Sequence, residues 1–134
     1  MIGIDWGTTS LRGYLIEDEQ LIDVRELPYG VLNVPKGEFK KIFDELVIDW
    51  KGPVLMSGMV GSSKGWQDTP YVQAPIALSE LHKHLIDFSH LTDRATWLIP
   101  GVQQQDPADV MRGEELQALG ASSSSGSQQL ILCG

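Results

Sequence analysis

The chain has 134 residues, which suits one domain with a single core and argues against two complete domains. Hydrophobic residues make up 42% of it and charged residues 21%, a balance typical of a folded protein rather than a disordered one. Its 10 basic and 18 acidic residues give a net charge of −8 with no basic cluster, which argues against binding to nucleic acid or to an anionic membrane.

The sequence shows no sign of a disulfide, a membrane span or a secretion signal. Cys133 is the single cysteine, so an internal disulfide and a cysteine-rich metal site are excluded. No apolar run approaches the roughly 18 residues of a membrane span, and no basic region followed by a long apolar stretch opens the chain. The sequence therefore predicts a cytoplasmic protein.

The first third of the chain predicts three antiparallel strands. They are the apolar runs Met1–Ile4, Leu11–Ile16 and Leu21–Leu27, with a polar turn between the last two. The apolar residues of the third run do not alternate cleanly, so we expect that strand to be bulged or to lie near an edge.

A helix and a buried strand follow. Apolar residues spaced i, i+3, i+4, i+7, i+8 and i+11 predict a helix from Phe39 to Trp50, ended by Pro53. Val54–Met56 is a short apolar run of the kind found in a strand covered on both faces. Glycines and prolines then predict a long loop from Ser57 to Pro75, a type of loop that is often functional.

The remaining segments predict further alternation of helices and strands. Apolar spacing predicts a second helix on Leu78, Leu81, Leu85 and Phe88, a strand from Thr96 to Ile99, and a third helix from Glu114 to Leu119. The low-complexity stretch 121–129 predicts a flexible connection. Leu130–Cys133 has the character of a buried strand that either closes the sheet or opens a second domain.

The order strand, strand, strand, helix, strand, helix, strand, helix predicts an α/β fold of the ribonuclease-H-like class, with residues 1–120 as one lobe. Its sheet is mixed, with antiparallel strands first and crossover strands later, flanked by helices. Because this fold hosts nucleases, integrases and the lobes of sugar kinases, it does not fix the function.

The first candidate site is "DWGTTS". Asp5 lies at the end of the first strand, Gly7 permits a tight turn and close approach, and Thr8, Thr9 and Ser10 offer N–H groups and hydroxyls that suit phosphate oxygens. Asp5 also suits a hydrated magnesium ion. The alternative is an ordinary hairpin turn, since turns favour the same residue types.

The second candidate site is "MSGMVGSSKGWQDTPY". Ser57, Gly58 and Gly61 present hydroxyl and amide donors, while Trp66 and Tyr71 present flat walls with polar tips. Together with the cation of Lys64, these groups suit a small polar ligand. The alternative is a glycine-rich surface loop whose aromatic rings cover the core.

The third candidate site is "PADVMRGEELQALGA". Asp109 is expected in a loop, Arg112 suits a two-pronged contact with a carboxylate, and Glu114 and Glu115 fall in the first turn of a helix. Acidic residues there also stabilise any helix through its dipole, so Glu115 has an ordinary capping explanation. The three histidines, at positions 82, 84 and 90, are expected on the solvent side.

Several motifs, in order, resemble the 2-dehydro-3-deoxygalactonokinases, sugar-acid kinases of the acetate and sugar kinase, chaperone ATPase and actin superfamily. These motifs are "IGIDWGTTSLRGYLI", "LPYGVLNVP", "PVLMSGMVGSSKGWQDTPYVQAPI", "LIPGV" and "DVMRGEELQALGA". The resemblance covers nearly all of residues 1–121.

The resemblance implies transfer of a phosphoryl group from ATP to the 6-hydroxyl of 2-dehydro-3-deoxy-D-galactonate, with Mg²⁺ at Asp5. It implies a phosphate site at Gly7, Thr8 and Thr9, to which we add the neighbouring Ser10 and Arg12. From its position on the loop, Asp109 is predicted to be the catalytic carboxylate at the acceptor hydroxyl, with Asp5 serving the metal. The implied sugar-acid pocket is Ser57, Gly58, Met59, Gly61, Trp66, Tyr71, Arg112 and Glu114.

Enzymes of this type have two lobes, so the resemblance implies that the chain is the first lobe and does not turn over substrate alone. Two alternatives stay open: a noncatalytic sugar-acid-binding or assembly module, and a ribonuclease-H-type nuclease that uses two metals. The edge of the Leu130–Cys133 strand also favours pairing with a second copy as a homodimer.

Overall fold

In the computed structural model, the chain is described for residues 1–116 and for residue 120. A six-stranded mixed sheet, in the order β3-β2-β1-β4-β7-β6, forms the centre of the molecule. Its strands are β1 (Ile2–Trp6), β2 (Leu11–Glu17), β3 (Gln20–Leu27), β4 (Val54–Gly58), β6 (Ile86–Asp87) and β7 (Thr96–Leu98). A separate three-stranded sheet contains β5 (Val72–Gln73), β8 (Val102–Gln105) and β9 (Ala108–Met111).

The three predicted N-terminal strands are confirmed. β1 pairs antiparallel with β2, and β2 pairs antiparallel with β3, which forms one edge of the sheet. The pairing shifts from Leu15 opposite Asp23 to Ile16 opposite Leu21, which leaves Ile22 as an extra residue. The expected irregularity of the third strand is therefore a bulge at its edge position.

Helix α1 (Phe39–Leu46) packs against one face of this sheet. It is shorter than predicted, because Trp50 donates its N–H to the Val47 carbonyl in a tighter turn than an α-helix makes. Its apolar face is nevertheless the predicted one, buried at Ile42, Phe43, Leu46, Val47 and Trp50. Gly13 on β2 gives this face room, since an added Cβ would lie 2.9 Å from the Trp50 ring and 3.1 Å from Leu46.

The central strand pair is parallel. β4 continues through Ser57 to Gly58, beyond its predicted end, and lies between β1 and β7 with both pairs parallel. Among the described residues, this arrangement places the carboxyl ends of three strands at one end of the sheet.

The predicted helix from Leu78 to Phe88 is wrong. A 3₁₀ helix occupies Leu78–His84, β6 pairs antiparallel with β7, and the short helix α2 (Ser89–Thr92) follows. The apolar spacing came from residues in separate elements, and Phe88 donates its N–H to the Thr96 carbonyl instead of to a helical turn.

The hairpin of β8 and β9 was not predicted. It pairs Gln104 with Asp109, so Asp109 lies in a strand and not in a loop. Only three large apolar side chains mark the two strands, and the Asp106-Pro107 turn signal was the remaining indication. The chain is helical again at residues 114–116, and residues 117–119 of the third predicted helix lie outside the described residues, as do the 121–129 connection and the Leu130–Cys133 strand.

None of the helices in the described part of the chain has the length and apolar character needed to cross a membrane.

Candidate functional site

The candidate site lies where two parallel strands end. Asp5 is opposite Ser57, and Trp6 is opposite Gly58, in the pairing of β1 with β4. Ligands bind most often outside the carboxyl ends of parallel strands, because side chains and loops there are not occupied by the sheet. The first two candidate segments of the sequence therefore meet at one point.

Two glycines add the third segment to this point. Gly58 has φ +94°, and a Cβ there would lie 2.7 Å from the Trp6 carbonyl oxygen and 3.3 Å from Oδ1 of Asp5. Gly113 has φ +117°, and its Cβ position is 3.4 Å from the Gly58 Cα. Both positions need glycine for backbone conformation, and their contact places the start of the 114–116 helical turn beside Asp5.

Asp5 is half-buried, and its charge is affected by two neighbours. Burial is the main cause that raises the pKa of its carboxyl group. The Arg12 guanidinium acts in the opposite direction, and the Glu114 carboxylate raises the pKa further. A cation placed beside Asp5 and Glu114 would relieve both the burial cost and their repulsion.

The 7–10 hairpin connects β1 to β2. Gly7 donates its N–H to the Ser10 carbonyl (3.0 Å), while the carbonyls of Gly7 and Thr8 accept N–H groups from residues 31 and 32 at 2.9 and 3.3 Å. Within the part of the chain that the structure describes, the N–H groups of Thr8, Thr9 and Ser10 donate to no backbone carbonyl. Successive free N–H groups of this kind attract phosphate oxygens.

The hairpin does not require a glycine at position 7, although the sequence indicated a tight turn and a close approach there. Its φ is not positive, and an added Cβ would meet only the Ser10 carbonyl oxygen at 3.6 Å, an ordinary contact. Arg12, the other phosphate candidate, is exposed and pairs with Glu26 at 3.1 Å. This exposed pair is weak, so it leaves Arg12 free to exchange partners.

Arg112 is buried and is bound by the chain itself. Its Nη1 donates to Thr69 Oγ1 at 2.8 Å, its Nη2 donates to the Thr69 carbonyl at 3.0 Å, and its guanidinium lies 4.1 Å from the centre of the Tyr71 ring. Gly61 leaves space for this contact, since a Cβ there would be 2.7 Å from Nη1. The Nε atom is buried and has no partner among the described residues. Arg112 therefore clamps two segments and keeps one N–H edge uncommitted.

The two glutamates after Gly113 cap the helical turn. Glu114 Oε2 accepts the Arg112 N–H at 2.8 Å, and Glu115 Oε2 accepts the Gly113 N–H at 2.7 Å. The capping explanation for Glu115 is thus confirmed. Glu115 is fully buried, and burial is the main cause that raises the pKa of its carboxyl group.

The residues of the 57–71 loop have different surroundings. Trp66 packs in an aromatic cluster, with its ring stacked on Phe39 at 6.0 Å between centres and 6.1 Å from Trp6. Trp66 therefore packs on the core, as the alternative for this loop expected. Its role as a wall beside a polar ligand stays a prediction. Ser57 is buried and donates weakly to the Ile4 carbonyl (3.4 Å), while Met59 is half-buried and Lys64 is exposed.

Asp109 has no hydrogen bond or ion pair with Asp5 or the 7–10 hairpin among the described residues. It is exposed on β9, and its carboxylate accepts the N–H of Val110 at 2.8 Å. The acidic group of this segment that acts on Asp5 is Glu114. The three histidines are exposed, as expected.

The sequence also held signals for residues that were missed. Gly113 lies immediately before the helix predicted from Glu114, where a glycine indicates a turn or an element boundary. Gly30 lies inside "LPYG", and a Cβ there would be 2.2 Å from the Thr9 carbonyl carbon. Thr69 gave no distinctive signal, because its role depends on a contact with Arg112, 43 residues away.

The Asp5 carboxylate is a donor of the type that magnesium takes. Among residues 1–116 and 120, no group of three or more His, Cys, Asp or Glu side chains is arranged to hold a metal ion. Magnesium usually takes one or two carboxylates, with water and substrate phosphates completing its shell. Asp5, with Glu114 acting on it and the free N–H groups in the hairpin that follows it, matches that chemistry.

Known proteins resemble this chain in sequence and in structure. The family model for 2-keto-3-deoxy-galactonokinase matches residues 5–134. The chain is 35% identical to the 2-dehydro-3-deoxygalactonokinase of Escherichia coli (strain K12), over 99% of this chain and 46% of that protein. It is 33% identical to a Rhizobium meliloti (strain 1021) protein assigned as 2-dehydro-3-deoxygalactonokinase DgoK1, over 97% of this chain and 44% of that protein.

A solved structure agrees with these sequence matches. The crystal structure of a Sinorhizobium meliloti protein, assigned as a 2-dehydro-3-deoxygalactonokinase, matches 93% of this chain with a TM-score of 0.85 and 32% identity. The match covers 44% of that protein, so this chain spans less than half the length of the relatives described. The predicted ribonuclease-H-like lobe and the predicted family are both confirmed. The chain belongs to the 2-keto-3-deoxy-galactonokinase family.

Proposed function

We propose that the whole protein containing this chain transfers the terminal phosphoryl group of ATP to the 6-hydroxyl of 2-dehydro-3-deoxy-D-galactonate. The observation that carries the proposal is the 7–10 hairpin, whose free N–H groups follow Asp5 in the chain at the carboxyl ends of two parallel strands. The names of the two relatives describe them as kinases of this sugar acid. Because this chain spans under half of their length, the activity is proposed for the whole protein.

The hairpin is the proposed phosphate site. The N–H groups of Thr8, Thr9 and Ser10 bind phosphate oxygens, with their hydroxyls as further donors, and Gly7 begins the turn. Arg12, adjacent in the sheet to Asp5, exchanges Glu26 for a phosphate oxygen. Positioning and charge stabilisation of this kind are the main requirements of phosphoryl transfer.

Asp5 is the proposed carboxylate for Mg²⁺, with Glu114 as its neighbour. When bound, magnesium supplies positive charge that stabilises the transferring phosphoryl group. Burial of Asp5 strengthens its attraction for a cation, since fewer water molecules compete for the carboxylate.

The sugar-acid side is proposed to be formed by the 57–71 loop and the 109–114 segment. Arg112 is proposed for the substrate carboxylate, attracting it by its positive charge; its unpartnered Nε–H is buried in this structure and would have to become accessible to donate to the anion. The lining residues we propose are Ser57, Gly58, Met59, Gly61, Trp66, Tyr71 and Glu114. Asp109 is proposed as the base or orienting carboxylate at the acceptor hydroxyl.

A pair of substitutions on one hairpin tests the catalytic carboxylate. Asp109→Asn in the whole protein should lower turnover of the sugar acid by roughly 100-fold or more, the range for general-base catalysis, while ATP affinity stays within about twofold. Asp106→Asn is the control, because it removes an exposed carboxylate from the same hairpin. Near-normal turnover by Asp109→Asn, with a large loss in Glu114→Gln, would transfer the role to Glu114.

A titration of the 134-residue chain tests whether it binds the sugar acid without catalysing phosphoryl transfer. We expect it to bind 2-dehydro-3-deoxygalactonate in calorimetric titration and to show no turnover with ATP. Sugar-acid turnover by the chain alone would contradict this expectation. Sugar-acid binding by a whole protein that does not phosphorylate would favour the noncatalytic module instead.

A further inference from the structure

A short backbone segment, Tyr29–Leu32, packs against the 7–10 hairpin and is hydrogen-bonded to it. The Val31 N–H is donated to the Gly7 carbonyl at 2.9 Å, and the Leu32 N–H is donated to the Thr8 carbonyl at 3.3 Å. On the other side of Gly30, the Tyr29 carbonyl accepts the indole N–H of Trp6 at 2.8 Å. The segment is therefore attached to β1 and to the hairpin by three hydrogen bonds.

These hydrogen bonds set the direction of the N–H groups in the hairpin. A trans peptide is planar, and its C=O and N–H point in opposite directions. Because the Gly7 and Thr8 carbonyls point toward Tyr29–Leu32, the N–H groups of Thr8 and Thr9 point away from it. The supporting segment thus turns the phosphate-binding donors toward the open side of the hairpin.

Gly30 permits the close approach that this arrangement requires. Its φ of −59° and ψ of 160° are extended values that any residue can adopt, so its backbone conformation does not require glycine. An added Cβ, however, would lie 2.2 Å from the Thr9 carbonyl carbon and 2.3 Å from the Thr8 oxygen. These atoms belong to the backbone and cannot rotate away as a flexible side chain would.

We propose that Gly30 is a positioning residue for ATP: it lets the Tyr29–Leu32 segment hold the 7–10 hairpin with its N–H groups directed at the phosphates. The proposal rests on the proposed kinase function. It assigns the glycine requirement of the phosphate site to Gly30, whereas Gly7 has an ordinary environment. A side chain at position 30 would push the hairpin outward and turn its peptides.

Gly30→Ala in the whole protein tests the proposal. We expect the KM for ATP to rise by about 10-fold to 100-fold, the loss typical of a misplaced binding group, while the KM for the sugar acid changes less than threefold. Gly37→Ala is the matched control: Gly37 has φ +83° with nothing within 4 Å of its Cβ position, so this change strains the backbone without touching the hairpin. Gly37→Ala should lower stability and leave both KM values unchanged.

A second pair keeps the test decisive if Gly30→Ala fails to fold. Val31→Pro removes the N–H donated to Gly7 at a position that tolerates proline, the start of a 3₁₀ turn, and Val31→Ala removes similar packing but keeps that N–H. A raised KM for ATP in Val31→Pro alone supports the proposal. Equal ATP parameters in each variant and its control would overturn it, whereas a wild-type protein that neither binds nor uses ATP would overturn the kinase function and the proposal together.

Discussion

At the scale of single residues, the burial of Asp5 has opposite effects on folding and on the proposed binding of Mg²⁺. Its carboxylate is half-buried at the end of β1, and burial raises its pKa, with Glu114 acting in the same direction. A raised pKa means that the folded state binds this proton more tightly than the unfolded chain does. The ionised group therefore destabilises the fold at neutral pH, a cost that a bound cation would offset.

Asp5→Asn should separate these two effects. We expect the free energy of unfolding at pH 7 to increase, because the amide carries no charge to bury, while Mg²⁺-dependent ATP binding is lost. Urea titration followed by tryptophan fluorescence measures the first effect, and calorimetry with MgATP measures the second. Asp49→Asn is the control: Asp49 is exposed, its hydrogen bond to Arg25 lowers its pKa, and its loss should not stabilise the protein. A destabilised Asp5→Asn would show that the burial cost is not the dominant effect.

At the scale of elements, helix α1 docks through a glycine in the strand beneath it. Gly13 on β2 faces Leu46 and Trp50, and its missing side chain lets the end of α1 approach the sheet. Arg25 fixes the same end of the helix, donating to the Leu46 carbonyl at 3.0 Å while its guanidinium lies 4.2 Å from the centre of the Trp50 ring. The position of α1 is therefore set at its C-terminal end by both close packing and polar contacts.

Gly13→Ala should reduce the free energy of unfolding by about 1–3 kcal/mol, the usual cost of overpacking a core. The new methyl group would lie 2.9 Å from Trp50 and 3.1 Å from Leu46, so both side chains must move. Gly3→Ala on the neighbouring strand is the control, because its Cβ would meet only the Tyr14 Cβ at 3.9 Å. Chemical denaturation compares the two, and equal stabilities would show that α1 shifts without cost.

Patterns within one element were predictable, and patterns spread over several elements were not. The apolar face of α1 followed from a single 3.6-residue period, and β1, β2 and β4 followed from compact apolar runs. The spacing of Leu78, Leu81, Leu85 and Phe88 also fitted a helix, but tertiary pairing with β7 drew its end into a strand. The β8–β9 hairpin was missed because its strands are rich in glutamine and exposed.

The candidate site divides in the same way. Asp5 was predicted from its place at the end of the first strand, and Gly58 from the glycine-rich loop expected after the buried strand. Gly30 and Gly113 contact residues distant in the sequence, Thr9 and Gly58, and although a glycine is a local signal for an unusual backbone position, it does not indicate which residue it contacts. Their roles required three-dimensional distances.

At the scale of the whole molecule, buried and exposed carboxylates oppose each other as the pH changes. Burial is the main cause that raises the pKa of Glu115, so its contribution to stability is lost as the pH rises from about 4.3, the ordinary glutamate value, through its folded-state pKa. Hydrogen bonds lower the pKa values of the exposed Asp49 and Asp87, so their contributions are lost as the pH falls below about 3.9.

Glu115→Gln should make stability less dependent on pH above about 4.3, because the amide cannot ionise. The glutamine carbonyl can still accept the Gly113 N–H, so the helical turn at 114–116 should be kept. Thermal unfolding at pH 4.5, 6 and 7.5 gives the comparison, and Glu45→Gln is the control, because Glu45 is exposed on helix α1. A parallel pH profile for Glu115→Gln and the wild type would contradict the assignment of this dependence to Glu115.

The bulge at Ile22 has a consequence for how the molecule behaves in concentrated solution. β3 forms an edge of the sheet and exposes Leu21, Ile22 and Val24, which would otherwise be an inviting template for a strand from another molecule. The extra residue breaks the regular succession of N–H and C=O groups along the edge. An incoming strand therefore cannot form one continuous ladder of hydrogen bonds across the bulge. An irregularity that weakens one pairing inside the protein thereby limits the growth of ordered aggregates outside it.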